Sequence, residues 1–495
     1  MQAWLRSGTT ALIVCLLAVA GLGLADQESA PLPAAVQVAS PQDASLDVPD
    51  AERPNIVFVM TDDMRDDELR WMPHTRRLLR DRGTDFTDAV SPHPLCCPAR
   101  AQLVTGQYAQ NNGVQHNAGP FGGFQALDPS QEISAWFKQA GYQTGFVGKF
   151  LNGYTDRDRR PAGWDRWDAL SSGVYDYFDF SFDNDGSPVA FRDSYVTEVI
   201  ADRTNQTVRD FAADDEPFLV YSWHLGPHYR INRQGKPVPA PAATDDKGRF
   251  ADSVPSVLGD SAFNEGDVLD QPRPFRTRRL AREDLVVTEH RARLRALQSV
   301  DRAVESLVET LRSVGELNST VIVFASDNGY SLGEHRFIGK NVLTQEVLQV
   351  PLLVRGPGIA SGATNDLPVT LVDLPATFTA LAGVTPGWLL DGTSVTPALA
   401  GQDQPFRDTT LVQTGDDGGD GWAYRGVRTS RYLYGVNGSD GFLYDRLVDP
   451  DQLTNLLLDP AYAEIRALLE QRRLQLLSCR GATCNRTFGL LPEPG

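Results

Sequence analysis

Apolar residues fall along this chain in two rhythms. The first is a set of short unbroken runs: IVFVM at 56–60 inside NIVFVMTDD, FLVYSW at 218–223 inside PFLVYSWHLGPHYR, and VIVFA at 321–325 inside TVIVFASDNGY. Runs of this length without alternation predict parallel strands buried on both faces. Residues 133–154, ISAWFKQAGYQTGFVGKFLNGY, read as helix, glycine turn, strand and loop. Leu294, Leu297, Val304, Leu307 and Leu311 recur at helical spacing and predict a long amphipathic helix on the sheet. Residues 367–384, LPVTLVDLPATFTALAGV, predict a strand followed by a helix. The second rhythm begins near residue 401, where WAYRGVRTSRYLYGVNGSDGFLYDRL alternates between hairpin turns and a helix follows at about 461–477. The expected fold is α/β: a large central mixed, mostly parallel sheet flanked by helices, with a small C-terminal antiparallel-sheet subdomain carrying a helix. Residues 230–284 show neither rhythm and are rich in Pro, Arg and Asp, as expected of a substrate-shaping insertion.

The ends and the composition refine this picture. Residues 1–25 carry Arg6 and the apolar stretch ALIVCLLAVAGLGLA, shorter than the roughly 20 residues of a membrane span. They read as a signal peptide cleaved before Asp26, with a membrane anchor as the alternative. Residues 26–52, rich in Ala, Pro, Ser and Asp, read as a disordered linker. A catalytic domain is expected over 53–400 and the antiparallel subdomain over 401–495. The formal charge of −18 argues against nucleic acid and anionic membrane as partners. An anionic substrate would therefore need a locally positive pocket. Export allows disulfides, and Cys479 and Cys484, enclosing the short loop RGAT, are expected to pair. Asn205, Asn318, Asn437 and Asn485 head glycosylation triplets, which matter only in a host that glycosylates exported proteins.

Three stretches carry candidate chemistry. Asp62 and Asp63 follow the first apolar run, where open α/β sheets place their ligands. They are either an acidic turn or oxygen ligands for Ca²⁺ or Mg²⁺. Asp327, Asn328 and Gly329 follow the third run in the same way, as an Asn-Gly turn or as the other half of one metal site. The stretch LCCPARAQLVTG, residues 95–106, leaves a Pro-broken loop and enters a helix-like segment. A group there sits at a helix mouth, where free N–H groups favour an anion, and Arg100 in the first turn adds a planar cationic fork. Cys96 is then a nucleophile beside an oxyanion site, or Cys96 and Cys97 are inert thiols or a strained disulfide.

Cys96-x-Pro98-x-Arg100 followed by Thr105-Gly106 resembles the signature of the sulfatases, with Val104 where that pattern has Leu. In that family the Cys is oxidised by a separate formylglycine-generating enzyme to 3-oxoalanine (formylglycine), an aldehyde whose hydrate attacks sulfur. The resemblance implies that Cys96 is this residue. It also implies one divalent cation, Ca²⁺ rather than Mg²⁺, held by Asp62, Asp63, Asp327 and Asn328 together with residue 96. Lys149 and Lys340 match the family's sulfate-facing lysines, and Pro227-His228 its leaving-group histidine, in preference to His224. Where many sulfatases have Lys-x-His, this chain has Lys149-Phe150-Leu151. His116 and His335 are the substitutes for the base that this His supplies in the final elimination, and with the lysines they are expected to bind substrate. LCCPAR, GKFLNGY, FNEGDVLDQP, QSVDRAVESLVETL and CRGATC look most like the N-acetylglucosamine-6-sulfatase branch. The implied activity is hydrolysis of a sulfate ester of a sugar or glycan, outside the cytoplasm or, in an animal host, in the lysosome. The alternatives are a formylglycine-dependent phosphate mono- or diesterase and a protein that only binds sulfated glycans.

Overall fold

The computed structural model describes residues 53–130 and 132–495, so the expected signal peptide and linker lie outside the described residues. A ten-stranded sheet runs through the larger part of the chain. Its strands are β1 (Asn55–Asp62), β2 (Thr84–Phe86), β3 (Gln143–Gly148), β4 (Arg166–Ser172), β5 (Phe180–Asn184), β6 (Ser187–Phe191), β7 (Phe218–Pro227), β8 (Thr320–Ser326), β9 (Leu352–Arg355) and β10 (Ala363–Asn365). They lie in the order β10-β2-β9-β8-β1-β7-β3-β4-β5-β6. The central strands β8, β1, β7, β3 and β4 are parallel, antiparallel pairings extend the sheet on both sides, and the end strand β10 is parallel to β2.

The apolar runs form these strands because both faces are covered. Ile56, Phe58 and Met60 point into one core with α1 (Cys96–Thr105) and α4 (Asp373–Ala382). Val57 and Val59 point into the other with α2 (Val196–Phe211) and α3 (Glu283–Ser313). Each such side chain contributes about 1.5–3 kcal/mol by burial. The long helix α3 opens on Glu283 and Asp284, which complement its dipole. The first core is aromatic: Phe146, Phe150, Trp164, Trp167, Tyr221 and Trp223 interlock, and Phe146 meets Trp223 with ring centres 5.2 Å apart.

The C-terminal sheet has four antiparallel strands, Thr410–Gly415, Trp422–Arg428, Tyr432–Asn437 and Asp440–Asp445. Helix α5 (Ala463–Leu476) covers it through Ile465, Leu469 and Leu476, and Cys479 is bonded to Cys484 beside them. Two expectations change. The strand before α4 is reduced to an isolated bridge of Thr370 with Val90, because Thr370 and Asp373 turn the chain into the helix. Asn205 lies within α2, is only 5% exposed and donates to Ser306 Oγ at 3.0 Å, so it is not a free glycosylation acceptor.

Candidate active site

β1 and β8 are adjacent and parallel, with Thr61 opposite Ser326, so the residues that follow them leave the sheet at one edge. Asp62 closes β1, and Asp63 turns away from it in the left-handed region at φ 70°. The Asp63 N–H donates to Asp327 Oδ1 at 3.0 Å, and Asn328 Nδ2 donates to Asp63 Oδ1 at 2.8 Å. All four side chains are fully buried. Asp63 Oδ2 and Asn328 Oδ1 have no hydrogen-bond donor. Buried oxygens without donors are costly. A set made of carboxylates and an amide oxygen suits a hard divalent cation. Ligand atoms of Asp62, Asp63, Cys96 and His228 all lie within 4.8 Å of one another, so the residues present fit such an ion.

Helix α1 begins at Cys96 itself, which puts its thiol at the helix mouth, 3.4 Å from Asp62 Oδ1. Arg100 therefore stands one full turn along, on the same face, and not in the first turn. Its Nε donates to Asp327 Oδ2 at 2.9 Å, and its side chain is wholly buried. It braces the acidic ligands from below. Lys149 follows β3 and reaches Asp62, with its Nζ 3.4 Å from Cys96 Sγ. Lys340 reaches Asp63, and its Nζ is 2.7 Å from the same sulfur.

These charges shape one another. Burial raises the Asp62 carboxyl, but Lys149, His228, Arg100 and Lys340 outweigh it and hold the group well below the usual range. Asp327 is pushed up to about 6 by burial and by the Asp62 charge. Burial and Asp62 push the Cys96 thiol up to about 11 despite both lysines. As a plain cysteine, residue 96 is a protonated thiol at neutral pH and a poor nucleophile.

His228 stands just past β7. Its Nδ1 is 2.7 Å from Tyr229 O, so Nδ1 carries the proton and Nε2 faces Asp63 Oδ2 at 3.7 Å. Its ring packs on Tyr175 and Tyr229, with centres 4.6 and 4.0 Å away. His224 turns to the far side of the sheet, next to Ser222 Oγ at 3.4 Å. His335 is bonded through Nδ1 to Glu265 Oε2 at 2.7 Å and stacks near Phe275. His116 pairs through its backbone with Gly122, and the neighbouring Asn117 Oδ1 accepts from the Cys97 N–H at 2.8 Å. Leu151 lies in the aromatic core.

Tyr175 is a residue of this site that no spacing in the sequence marks. Lys149 Nζ sits 4.6 Å above its ring, and its hydroxyl accepts from Asn152 Nδ2 at 2.8 Å. Asn152 in turn donates its backbone N–H to Cys97 Sγ at 3.0 Å. A Gly-bounded turn, GVYDYF, was the only available signal.

Comparison with known proteins bears on this arrangement. A sequence model described as Sulfatase matches residues 54–384, and one described as N-sulphoglucosamine sulphohydrolase, C-terminal, matches residues 333–478. The N-acetylglucosamine-6-sulfatase of Homo sapiens is 29% identical over 513 residues, covering 90% of this chain and 87% of its own length. An extracellular sulfatase SULF-1 homolog of Drosophila melanogaster is 34% identical over 379 residues, and the match covers 72% of this chain but 32% of that protein. A solved structure in complex with its substrate D-glucosamine-2-N,6-O-disulfate superposes with a TM-score of 0.70 at 24% identity, covering 85% of this chain and 97% of the other. A phosphonate monoester hydrolase from Silicibacter pomeroyi gives a TM-score of 0.64 at 21% identity, over 85% and 94%. These two structures share the fold.

Proposed function

Because the chain belongs to the sulfatase family, we propose that it removes sulfate from a sulfated sugar, with N-acetylglucosamine 6-sulfate as the first candidate, at residue 96 after conversion to 3-oxoalanine. The observation that carries this reading is the placement of Cys96 between two lysines and a set of oxygen ligands, with its own thiol held protonated. Asp62, Asp63, Asp327 and Asn328 would hold one cation per chain, Ca²⁺ in preference to Mg²⁺, which when bound would supply Lewis-acid polarisation of a sulfate oxygen, and the converted residue would supply the attacking oxygen.

The remaining chemistry belongs to the side chains. Lys149 and Lys340 approach residue 96 from two directions, so a sulfuryl group there meets two ammonium charges as its oxygens become more negative. Arg100 keeps Asp62 and Asp327 ionised and in place. His228 is the group for the departing alcohol. Burial pulls its imidazole down to about 4, so the Nε2 proton must be stabilised by the arriving anion. With Nδ1–H tied to Tyr229 O, that added proton sits on Nε2, the atom that faces the site.

Two features support an exported protein: the apolar stretch of residues 1–25 and the disulfide between Cys479 and Cys484. Maturation requires a formylglycine-generating enzyme as partner, and the substrate is a sulfated carbohydrate. The test is parallel turnover of an aryl sulfate, an aryl phosphate, an aryl phosphonate and N-acetylglucosamine 6-sulfate by the matured protein. Preference for the sulfates upholds the reading. Preference for phosphate or phosphonate turns it into the phosphoesterase alternative. Sulfated-glycan binding with no turnover, despite a full cation site, leaves a binding protein.

A further inference from the structure

Lys340 reaches residue 96 from an unpromising support. It follows a hairpin whose strands, Ser331–Leu332 and Ile338–Gly339, are two residues each. Strands that short do not hold a register alone. The turn between them includes His335 and Arg336 in the left-handed region, at φ 49° and 61°. A non-glycine residue is strained there because its Cβ crowds the following carbonyl. Lys340 itself has a long flexible stem with rotamer entropy to lose. Something outside the hairpin must hold it.

That support comes from the irregular segment after residue 230. The His335 N–H donates to Ala262 O at 2.9 Å, and the Asn264 N–H donates to Gly333 O at 3.0 Å. Arg336 Nε donates to Glu265 O at 2.8 Å. At the centre, Glu265 is 5% exposed and uses both carboxylate oxygens: Oε2 faces His335 Nδ1 at 2.7 Å, and Oε1 accepts from Gln271 Nε2 at 3.2 Å. Gln271 is fully buried, accepts from the Tyr444 hydroxyl and donates to Gln452 O at 3.0 Å, both in the C-terminal part of the chain.

We propose that Glu265 is a positioning residue: it clamps the turn that carries Lys340 and ties that turn, through Gln271, to the C-terminal sheet. The clamp itself rests on geometry alone; its effect on the reaction rests on the reading of residue 96 as the reacting centre. It gives the segment after residue 230 a defined task, the alignment of a sulfate-facing lysine from a distance. The ion pair is buried, and His335 also lies near Glu334 and Glu346. Burial pulls the imidazole down, but the Glu265 hydrogen bond and these carboxylates outweigh it and raise His335 above the ordinary imidazole value.

The test is a double-mutant cycle in the full-length matured enzyme, comparing wild type, Glu265→Ala, Lys340→Ala and the double variant, with Glu265→Gln in place of Glu265→Ala should the latter not fold. Misplacement of a reacting-site group by a change remote from the chemistry costs up to about 100-fold. The expected result is that fall in kcat/KM for an aryl sulfate when Lys340 is present, and less than about threefold when it is already Ala, the mark of coupled residues. Hydrogen exchange of the peptide spanning 333–341 is the second readout and should quicken in the Glu265 variants. Additive losses, or unchanged exchange, overturn the clamp. If no form turns over any sulfate ester while exchange at 333–341 still quickens, the clamp stands and the functional reading falls.

Discussion

The two halves of the site are built in different ways. The acidic half sits on the ends of two adjacent parallel strands, β1 and β8, whose register sets the places of Asp62, Asp63, Asp327 and Asn328, with Arg100 bracing Asp62 and Asp327. The cationic half is assembled from separate pieces: Lys149 after β3, His228 after β7 and Lys340 after a short turn. Strand ends give a rigid cage, which a cation needs. Turns give approach from several sides, which a tetrahedral anion needs, and they require bracing by Tyr175 and Glu265. Like charges confined in the first half are stable only with a cation or the lysines between them.

Removal of residue 96 breaks both halves at once. Cys96→Ala should abolish turnover by more than about 10⁴-fold, as loss of a nucleophile does elsewhere, with little change in melting temperature. A residual rate near wild type would show that the chemistry lies elsewhere. Next in size is the acidic half. Asp327→Asn should lower activity on the order of 10³-fold, comparable with losing a major electrostatic element. Cation content by elemental analysis should fall with it.

Chelation separates the halves by pH. Asp327 has its folded-state value raised to about 6 when no cation is bound. A raised carboxyl contributes stability that is full below its ordinary value of 3.8 and is lost as pH rises through about 6. Chelator should therefore lower the melting temperature more at pH 8 than at pH 5. An equal drop at both would remove Asp327 from the cation site.

The cationic half should show smaller, geometry-dependent effects. Tyr175→Leu removes the ring under Lys149 and beside His228 and should cost about tenfold in kcat/KM, the size of one desolvated cation–π contact. Tyr175→Phe keeps the ring and should cost less than about threefold. Equal losses would make the hydroxyl, through Asn152, the important part.

The smallest effect lies outside both halves and serves as their control. Glu132 is buried against Trp164, and burial lifts its carboxyl to about 8. Its stability contribution is present below the ordinary value of 4.5 and falls as pH rises toward 8. Glu132→Gln should leave turnover unchanged and be relatively more stable above pH 7 than at pH 5, measured by thermal unfolding.

The same contrast explains what could be read from the sequence. Unbroken apolar runs ending in Asp-Asp and Asp-Asn placed the acidic half, because strand, end and ligand are contiguous in the chain. The Cys96 stretch was legible for the same reason, as was the alternating C-terminal sheet. The spacing makes Arg100 an anion-facing fork in the first turn, but the helix starts at Cys96, one turn earlier, and Arg100 is fully buried against Asp327. Glu265 and His335 are 70 residues apart, and nothing periodic links them. Tyr175 acts through ring faces, which leave no spacing. The start of the 367–384 unit reads as a strand on apolar content, but the hydrogen bonds that Asp373 accepts from Thr370 turn the chain toward the helix.

The first experiment is the mass of the proteolytic peptide bearing Cys96, from protein made in its native host. Residue 96 is expected to have lost its sulfur and two hydrogens and gained one oxygen, the change from CH₂SH to an aldehyde, in material that hydrolyses a sulfate ester. An intact thiol, or a bond to Cys97, in protein that is nonetheless active would contradict it.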